Sequence, residues 1–153
     1  MSGKRIAIVG AGLGGLAAAN ALLASPTGRT AAAAEAREAL AQGPARAVNW
    51  LQIAYAQAGP SGRLDTRGRE ALSRSYTFQP YGPEVSQWRL SFAFDHWGEL
   101  TPELREQVLG EAEVLWRTSG HQRVERAIES AQTRNGRAAG ALLRLKLRAL
   151  DRK

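Results

Sequence analysis

The sequence predicts a mainly α-helical fold of antiparallel hairpins, preceded by a short N-terminal strand–turn–helix. Apolar residues recur at helical spacing through most of the chain after residue 30, between short breaks rich in glycine and proline. Only one segment, residues 6–9, has the apolar, β-branched character of a buried strand. We therefore expect an N-terminal segment over residues 1–28 and a helical domain over residues 29–153.

The N-terminal segment places three glycines directly after the predicted strand. Gly10, Gly12 and Gly15 are spaced G-x-G-x-x-G and are followed by an alanine-rich helix. This spacing permits a tight turn, close approach of backbone to a diphosphate, and close packing of helix on strand. A diphosphate at that helix N-terminus would be attracted by unpaired N–H groups and by the helix dipole.

Residues 4–24 resemble the dinucleotide-binding opening of flavin-dependent oxidoreductases, including aromatic-ring monooxygenases. The resemblance implies that Gly10, Gly12 and Gly15 contact the diphosphate of FAD or NAD(P). It also implies an acid at the end of a second strand, and Glu35 lies 20 residues beyond Gly15. The residues before Glu35 are mostly alanine, however, and no alternating strand–helix pattern follows to build a parallel sheet.

A secretion signal is the alternative for the same N-terminal segment. Residues 6–24 carry no charge and follow Lys4 and Arg5. The clustered glycines and Asn20 argue against a continuous apolar helix, so we expect a cytoplasmic protein and leave the signal as the alternative.

The helical elements follow in order after a predicted break at residues 25–28. Thr101 and Pro102 have the pattern of an N-cap and a first helical residue. The predicted helices cover residues 31–42, 45–58, 69–78, 84–97, 102–118, 121–132 and 138–150, with a polar loop over residues 59–68.

Residues 31–83 resemble tetratricopeptide-type repeats, which are helical hairpins of about 34 residues. The matching positions are Val48, Leu51 and Tyr55 in a first helix and Ala71, Tyr76 and Pro80 in a second helix. Residues 31–42 resemble the second helix of a truncated preceding repeat. The resemblance implies a scaffold that binds a protein segment along stacked helices.

The side chains with chemical potential do not form a catalytic pattern. His96 and His121 lack the spacing of metal ligands, and no serine lies in a nucleophile elbow. We therefore expect no metal site and no catalytic residue. Glu111 and Glu113 are expected to be solvated on the exposed side of a helix.

The basic C-terminal helix supports two interpretations. Arg144, Arg148 and Arg152 repeat at i, i+4 and i+8 beside several leucines. One interpretation is contact with a membrane surface or an acidic partner. We favour a capping helix whose leucines cover the preceding helices while its arginines remain in water.

Together these patterns favour a non-catalytic helical-repeat scaffold that binds an unidentified protein. Trp50, Tyr55 and Trp88 are candidates for its binding surface or for its core. Self-association is expected if a short stack leaves apolar end faces uncovered. No nucleic-acid partner is expected, because the formal charge of +7 is modest and the basic residues are not interleaved with exposed aromatics.

Two alternatives stay open at this point. The first is an FAD- or NAD(P)-binding oxidoreductase, or a fragment of one, that uses the glycine turn. The second is a recombined chain, joined near residues 25–31, that has no evolved activity.

Overall fold

A computed structural model of the chain describes residues 25–43, 46–58, 62–83, 85–118 and 120–151. Within these ranges the chain is mainly helical and has no strand, which confirms the predicted mainly α class. The predicted N-terminal strand–turn–helix lies outside the described residues. The helices are α1 (Pro26–Gln42), α2 (Ala47–Ala58), α3 (Thr66–Phe78), α4 (Ser86–Asp95), α5 (Pro102–Arg117), α6 (His121–Glu129) and α7 (Arg134–Leu150), and a 3₁₀ turn over Trp97–Glu99 joins α4 to α5.

Side-chain caps set where several helices begin. Thr101 caps α5 as predicted, because its hydroxyl accepts a hydrogen bond from the backbone N–H of Leu104 at 3.3 Å. Ser25 caps α1 in the same way, with the N–H of Gly28 as donor at 2.9 Å. The predicted break at residues 25–28 is therefore wrong: Pro26 occupies the first turn, where its missing N–H is no loss.

Two other helices also begin earlier than the sequence predicts. Asp65 caps α3 by accepting from the N–H of Gly68 at 2.7 Å, so the predicted loop over residues 59–68 is too long. Thr133 caps α7 through the N–H of Gly136 at 3.1 Å, which starts that helix at Arg134. In both cases a glycine, Gly68 or Gly136, lies in the first helical turn.

The first three helices pack side by side as antiparallel neighbours. Trp50 at the start of α2 stacks on Phe78 at the end of α3, with 6.2 Å between ring centroids. At the opposite end, Gly68 near the start of α3 lies against Gln57 near the end of α2. Helix α2 thus packs between α1 and α3.

The last four helices pack around α4 and α6. Helix α4 contacts α5, α6 and α7, and α6 contacts α5 and α7 as well. The side chain of Asp95, at the end of α4, accepts a hydrogen bond from the backbone of Gln132 just after α6, at 2.7 Å. The apolar core of this group includes Leu90, Phe92, Phe94, Val108, Val124 and Leu147, all almost fully buried.

Aromatic and carboxylate contacts join the two groups of helices. Tyr55 of α2 packs against Trp88 and Phe92 of α4, with centroid distances of 4.7 and 4.2 Å. Glu99 in the 3₁₀ turn accepts a hydrogen bond at 2.7 Å from the backbone N–H of Leu64, which lies just before α3. One continuous core therefore runs through both groups.

Candidate functional site

The residues predicted to bind a dinucleotide are only partly described. Gly10, Gly12 and Gly15 lie outside the described residues, so the glycine turn stays a prediction. Glu35 lies on the exposed side of α1, near the middle of that helix. The residues that precede it are helical, and no described strand ends at it.

Of the three aromatic candidates for a binding surface, Trp88 belongs to the core and Tyr55 packs against the core. Trp88 is 5% exposed, and Tyr55 is packed between it and Phe92. Burial, and then the nearby carboxylate of Asp95, raise the pKa of Tyr55 well above its ordinary value, so its hydroxyl stays neutral. Trp50 is also half-buried, and the Arg74 guanidinium lies 4.9 Å from its ring centroid.

The two histidines serve packing in the described structure. His96 is buried, with its Nδ1 3.0 Å from a carboxylate oxygen of Glu99 and its ring 4.5 Å from that of Phe92. His121 stacks on Trp116 with 4.2 Å between centroids. Among the residues that the structure describes, no three His, Cys, Asp or Glu side chains gather to hold a metal ion.

A buried charged pair, Arg89 and Glu111, is the most polar feature of the interior. Both side chains are fully buried, so the expectation that Glu111 is solvated is wrong. The guanidinium pairs with the carboxylate through Nε, at 3.1 Å, and through Nη2. Its remaining hydrogens reach backbone carbonyls, those of Ser75, Gln79 and Pro80. All five guanidinium hydrogens are therefore used.

Two hydroxyl groups complete the environment of the Glu111 carboxylate. Tyr76 donates to it at 3.0 Å and Ser86 at 2.8 Å. Burial raises the pKa of Glu111, whereas Arg89 and the hydroxyls oppose that rise. Burial also raises the pKa of Tyr76, whose ring lies 3.9 Å from the Arg89 guanidinium. The cluster is buried, and its contacts join α3, α4 and α5.

The sequence gives a weak signal for this pair. Arg89 is the only basic residue of α4 and lies among Trp88, Leu90 and Phe92, and a charge in such apolar surroundings needs a buried partner. The sequence does not indicate that Glu111 is buried, because Glu106 and Glu113 on the same helix have similar neighbours in the sequence. Its partner, 22 residues away, is identified only by the fold.

The outward face of α7 carries two strongly exposed leucines. Leu142 and Leu145 are 69% and 68% exposed, the largest values among the exposed large apolar residues of the described chain. Leu143 and Leu147, on the opposite side of α7, are buried. The expectation that the leucines of this helix cover its neighbours is therefore correct for one face only. We call Ala138, Leu142, Leu145 and Ala149, all exposed, the α7 stripe.

Arg148 and Lys146 border the α7 stripe on opposite sides, and they and Arg144 pair with acids of neighbouring helices. Arg144 lies 2.6 Å from the carboxylate of Glu125, and Arg148 lies 3.6 Å from it. Lys146 on the other border lies 3.7 Å from Glu113 of α5. The expectation that the arginines of this helix remain in water is therefore wrong for Arg144, which is half-buried in an ion pair. Arg152 lies outside the described residues.

A shallow groove lies between α1 and α2. Its volume is about 290 Å³. Two of the residues that line it are arginines. The lining consists of Pro26, Arg29, Thr30, Ala33, Arg37, Ala56 and Gln57. It is open to solvent and smaller than most ligand pockets, which hold roughly 300–1,000 Å³.

No protein-family model, curated protein or solved structure matches this chain. Across the described residues, no helix is both long enough and apolar enough to cross a bilayer. The α7 stripe is the strongest candidate for a binding surface among the described residues.

Proposed function

We propose that this chain is a non-catalytic, tetratricopeptide-like scaffold that binds a segment of another protein. The observation that carries the proposal is the α7 stripe, where two leucines face solvent on a helix that already has a buried side. Exposed apolar surface bordered by charge is typical of protein interaction sites. The antiparallel packing of α1, α2 and α3 supports the repeat-like part of the proposal.

The energetics favour a weak, reversible complex. Fully burying a leucine side chain contributes about 1.5–3 kcal/mol. Because Leu142 and Leu145 are 69% and 68% exposed, covering what is exposed of both gains roughly 2–4 kcal/mol. Association costs at least about 4 kcal/mol, which the leucines alone do not offset. Burial of the partner's own apolar side chains has to supply most of the rest, with a smaller contribution from ion pairs at the border of the stripe, and we expect a Kd of about 1 mM.

The test uses a fluorescent three-heptad helical peptide with leucine on one face and glutamine beside it. Anisotropy is measured against increasing concentrations of the protein. We expect saturable binding that is lost in Leu142→Gln/Leu145→Gln, because the variant removes the apolar contact. The variant should remain folded, since substitutions at exposed positions usually change the free energy of unfolding by less than about 0.5 kcal/mol.

Tyr81→Gln is the matched control, because Tyr81 is 55% exposed but lies before α4, away from the α7 sequence. It should bind the peptide as the wild type does. Equal binding by the wild type and the double leucine variant would contradict the proposal, and so would absence of binding at millimolar protein.

The glycine turn favours a second candidate function, an FAD- or NAD(P)-binding oxidoreductase. By the resemblance, Gly10, Gly12, Gly15 and Glu35 would hold the dinucleotide. A bound ligand raises stability by RT ln(1 + [L]/Kd), so excess FAD would raise Tm even for weak binding. A rise in Tm that disappears in Gly12→Val supports this candidate, whereas an unchanged Tm favours the scaffold.

A further inference from the structure

The α7 stripe has the spacing of a coiled-coil seam. Its residues, Ala138, Leu142, Leu145 and Ala149, are separated by four, three and four positions, which is the d-a-d-a pattern of a heptad. All four are exposed in the described structure. Such a seam is narrow and accepts the ridge of one further helix.

The charged positions that border the seam all have the same sign. In the heptad, Arg134 and Arg148 occupy g positions and Lys146 occupies an e position. The side chains at e and g face the partner helix and determine its identity through ion pairs. Glu125 and Glu113 partly neutralise Arg148 and Lys146, and no described acid pairs with Arg134.

From this arrangement we infer that the α7 stripe binds one amphipathic helix of a partner protein whose residues beside the seam are acidic. The inference rests on the proposed scaffold function and names the chemistry of its partner. Leucine and alanine on α7 would pack against the apolar ridge of that helix. Its Glu or Asp side chains would pair with Arg134, Lys146 and Arg148.

Charge complementarity disfavours a second copy of the chain. In a parallel, in-register pair of α7 helices, Arg134 and Lys146 would face Ala139 and Ala141 of the other copy, so a second copy offers these cations no acid to pair with. A membrane surface is also disfavoured. Interfacial helices have a broad apolar face with tryptophan or phenylalanine, whereas this stripe has two leucines and no aromatic residue.

The first experiment compares three designed three-heptad peptides that share the leucine seam. Their e and g positions carry glutamate, glutamine or lysine. Binding to the full chain is measured by anisotropy at low and high salt, at peptide concentrations where sedimentation shows monomers. We expect the glutamate peptide to bind roughly tenfold more tightly than the glutamine peptide, and the difference to shrink at high salt because the ion pairs are exposed.

The second experiment reverses one charge at the border of the seam. Arg134→Glu should weaken binding of the glutamate peptide roughly two- to fivefold and strengthen binding of the lysine peptide. Arg137→Glu is the matched control, because Arg137 lies in the same turn but at a c position away from the seam. Both variants place an acid in the first turn of α7, where the helix dipole favours it, so both should fold.

The outcomes separate this inference from the proposed function. Equal binding of all three peptides, lost in Leu142→Gln/Leu145→Gln, would leave the scaffold intact and overturn the preference for acids. Binding of none of them would overturn both. Sedimentation of the chain as a dimer that dissociates in the leucine variant would assign the stripe to a second copy. Association with vesicles of phosphatidylcholine and phosphatidylserine, without peptide binding, would assign it to a membrane.

Discussion

Arg89 and Glu111 are the residues whose surroundings most constrain the packing of this protein. A buried charge is tolerated only where its hydrogen-bonding groups are satisfied, and the guanidinium achieves this with one carboxylate and three carbonyls. Those partners lie on α5 and at the end of α3. The pair therefore favours one relative position of α3, α4 and α5 over others.

Glu111→Gln tests this role. The substitution leaves the Arg89 charge buried without its counter-ion, and breaking a buried pair in this way costs about 3–5 kcal/mol. We expect a loss of that size in the free energy of unfolding measured with urea. Glu113→Gln is the control, because Glu113 forms partly exposed pairs with Arg117 and Lys146, worth at most about 1 kcal/mol each. Similar losses in the two variants would show that the buried pair has no special role.

Glu99 gives a prediction about pH. Partial burial raises the pKa of Glu99, but the Leu64 N–H, His96 and Arg63 lower it more, so the net pKa lies below its ordinary value of 4.5. A carboxylate whose pKa is lower in the folded state adds stability above the unfolded pKa, and this contribution disappears as the pH falls through the folded pKa.

Urea unfolding between pH 6 and pH 3 measures this contribution. The wild type should lose stability more steeply below about pH 4.5 than Glu99→Gln does. Glu106→Gln, on the exposed side of α5, controls for the loss of one carboxylate. Identical pH profiles for the wild type and Glu99→Gln would refute the assigned contacts.

At the scale of helices, two helical glycines have opposite surroundings. Gly110 lies inside α5 with no atom within 4 Å of where a Cβ would be. Gly136 lies in the first turn of α7, and a Cβ there would lie 2.1 Å from the carbonyl oxygen of Phe94. Gly136 therefore lets α7 approach the end of α4.

Alanine at these two positions should change stability in opposite directions. Gly110→Ala gains helix propensity and should stabilise the protein by about 0.5–1 kcal/mol. Gly136→Ala gains the same propensity but collides with backbone, so we expect a net loss, as overpacking typically costs roughly 1–3 kcal/mol. Thermal unfolding of both variants checks the prediction, and a stabilised Gly136→Ala would contradict the close packing of α7 on α4.

Local signals in the sequence were sufficient for some helices and insufficient for others. Thr101 and Pro102 identify the start of α5 because cap and first turn are set by adjacent residues. The same pattern at Ser25 and Pro26 was obscured by Gly28, which suggested a break. Leucines on nearly all sides of α7 could not show which face is buried, because that depends on where α4 and α6 lie.

At the scale of the whole molecule, a three-helix group and a four-helix group share one core and leave one apolar stripe exposed. The contacts of Tyr55, Glu99 and Arg89 cross between the groups, which favours cooperative unfolding as a unit. Sequence could predict the helical class and most helices. It could not predict the α7 stripe, since exposure of Leu142 and Leu145 is a property of the assembled fold.

The most direct test of the α7 stripe as a binding surface is an NMR titration of the isotope-labelled full chain with the glutamate peptide. We predict that backbone amide shifts change chiefly in α7, around Leu142 and Leu145, and that the changes vanish in Leu142→Gln/Leu145→Gln. Shifts confined to another surface, such as the groove between α1 and α2, or shifts unaltered by the double variant, would contradict the proposed function.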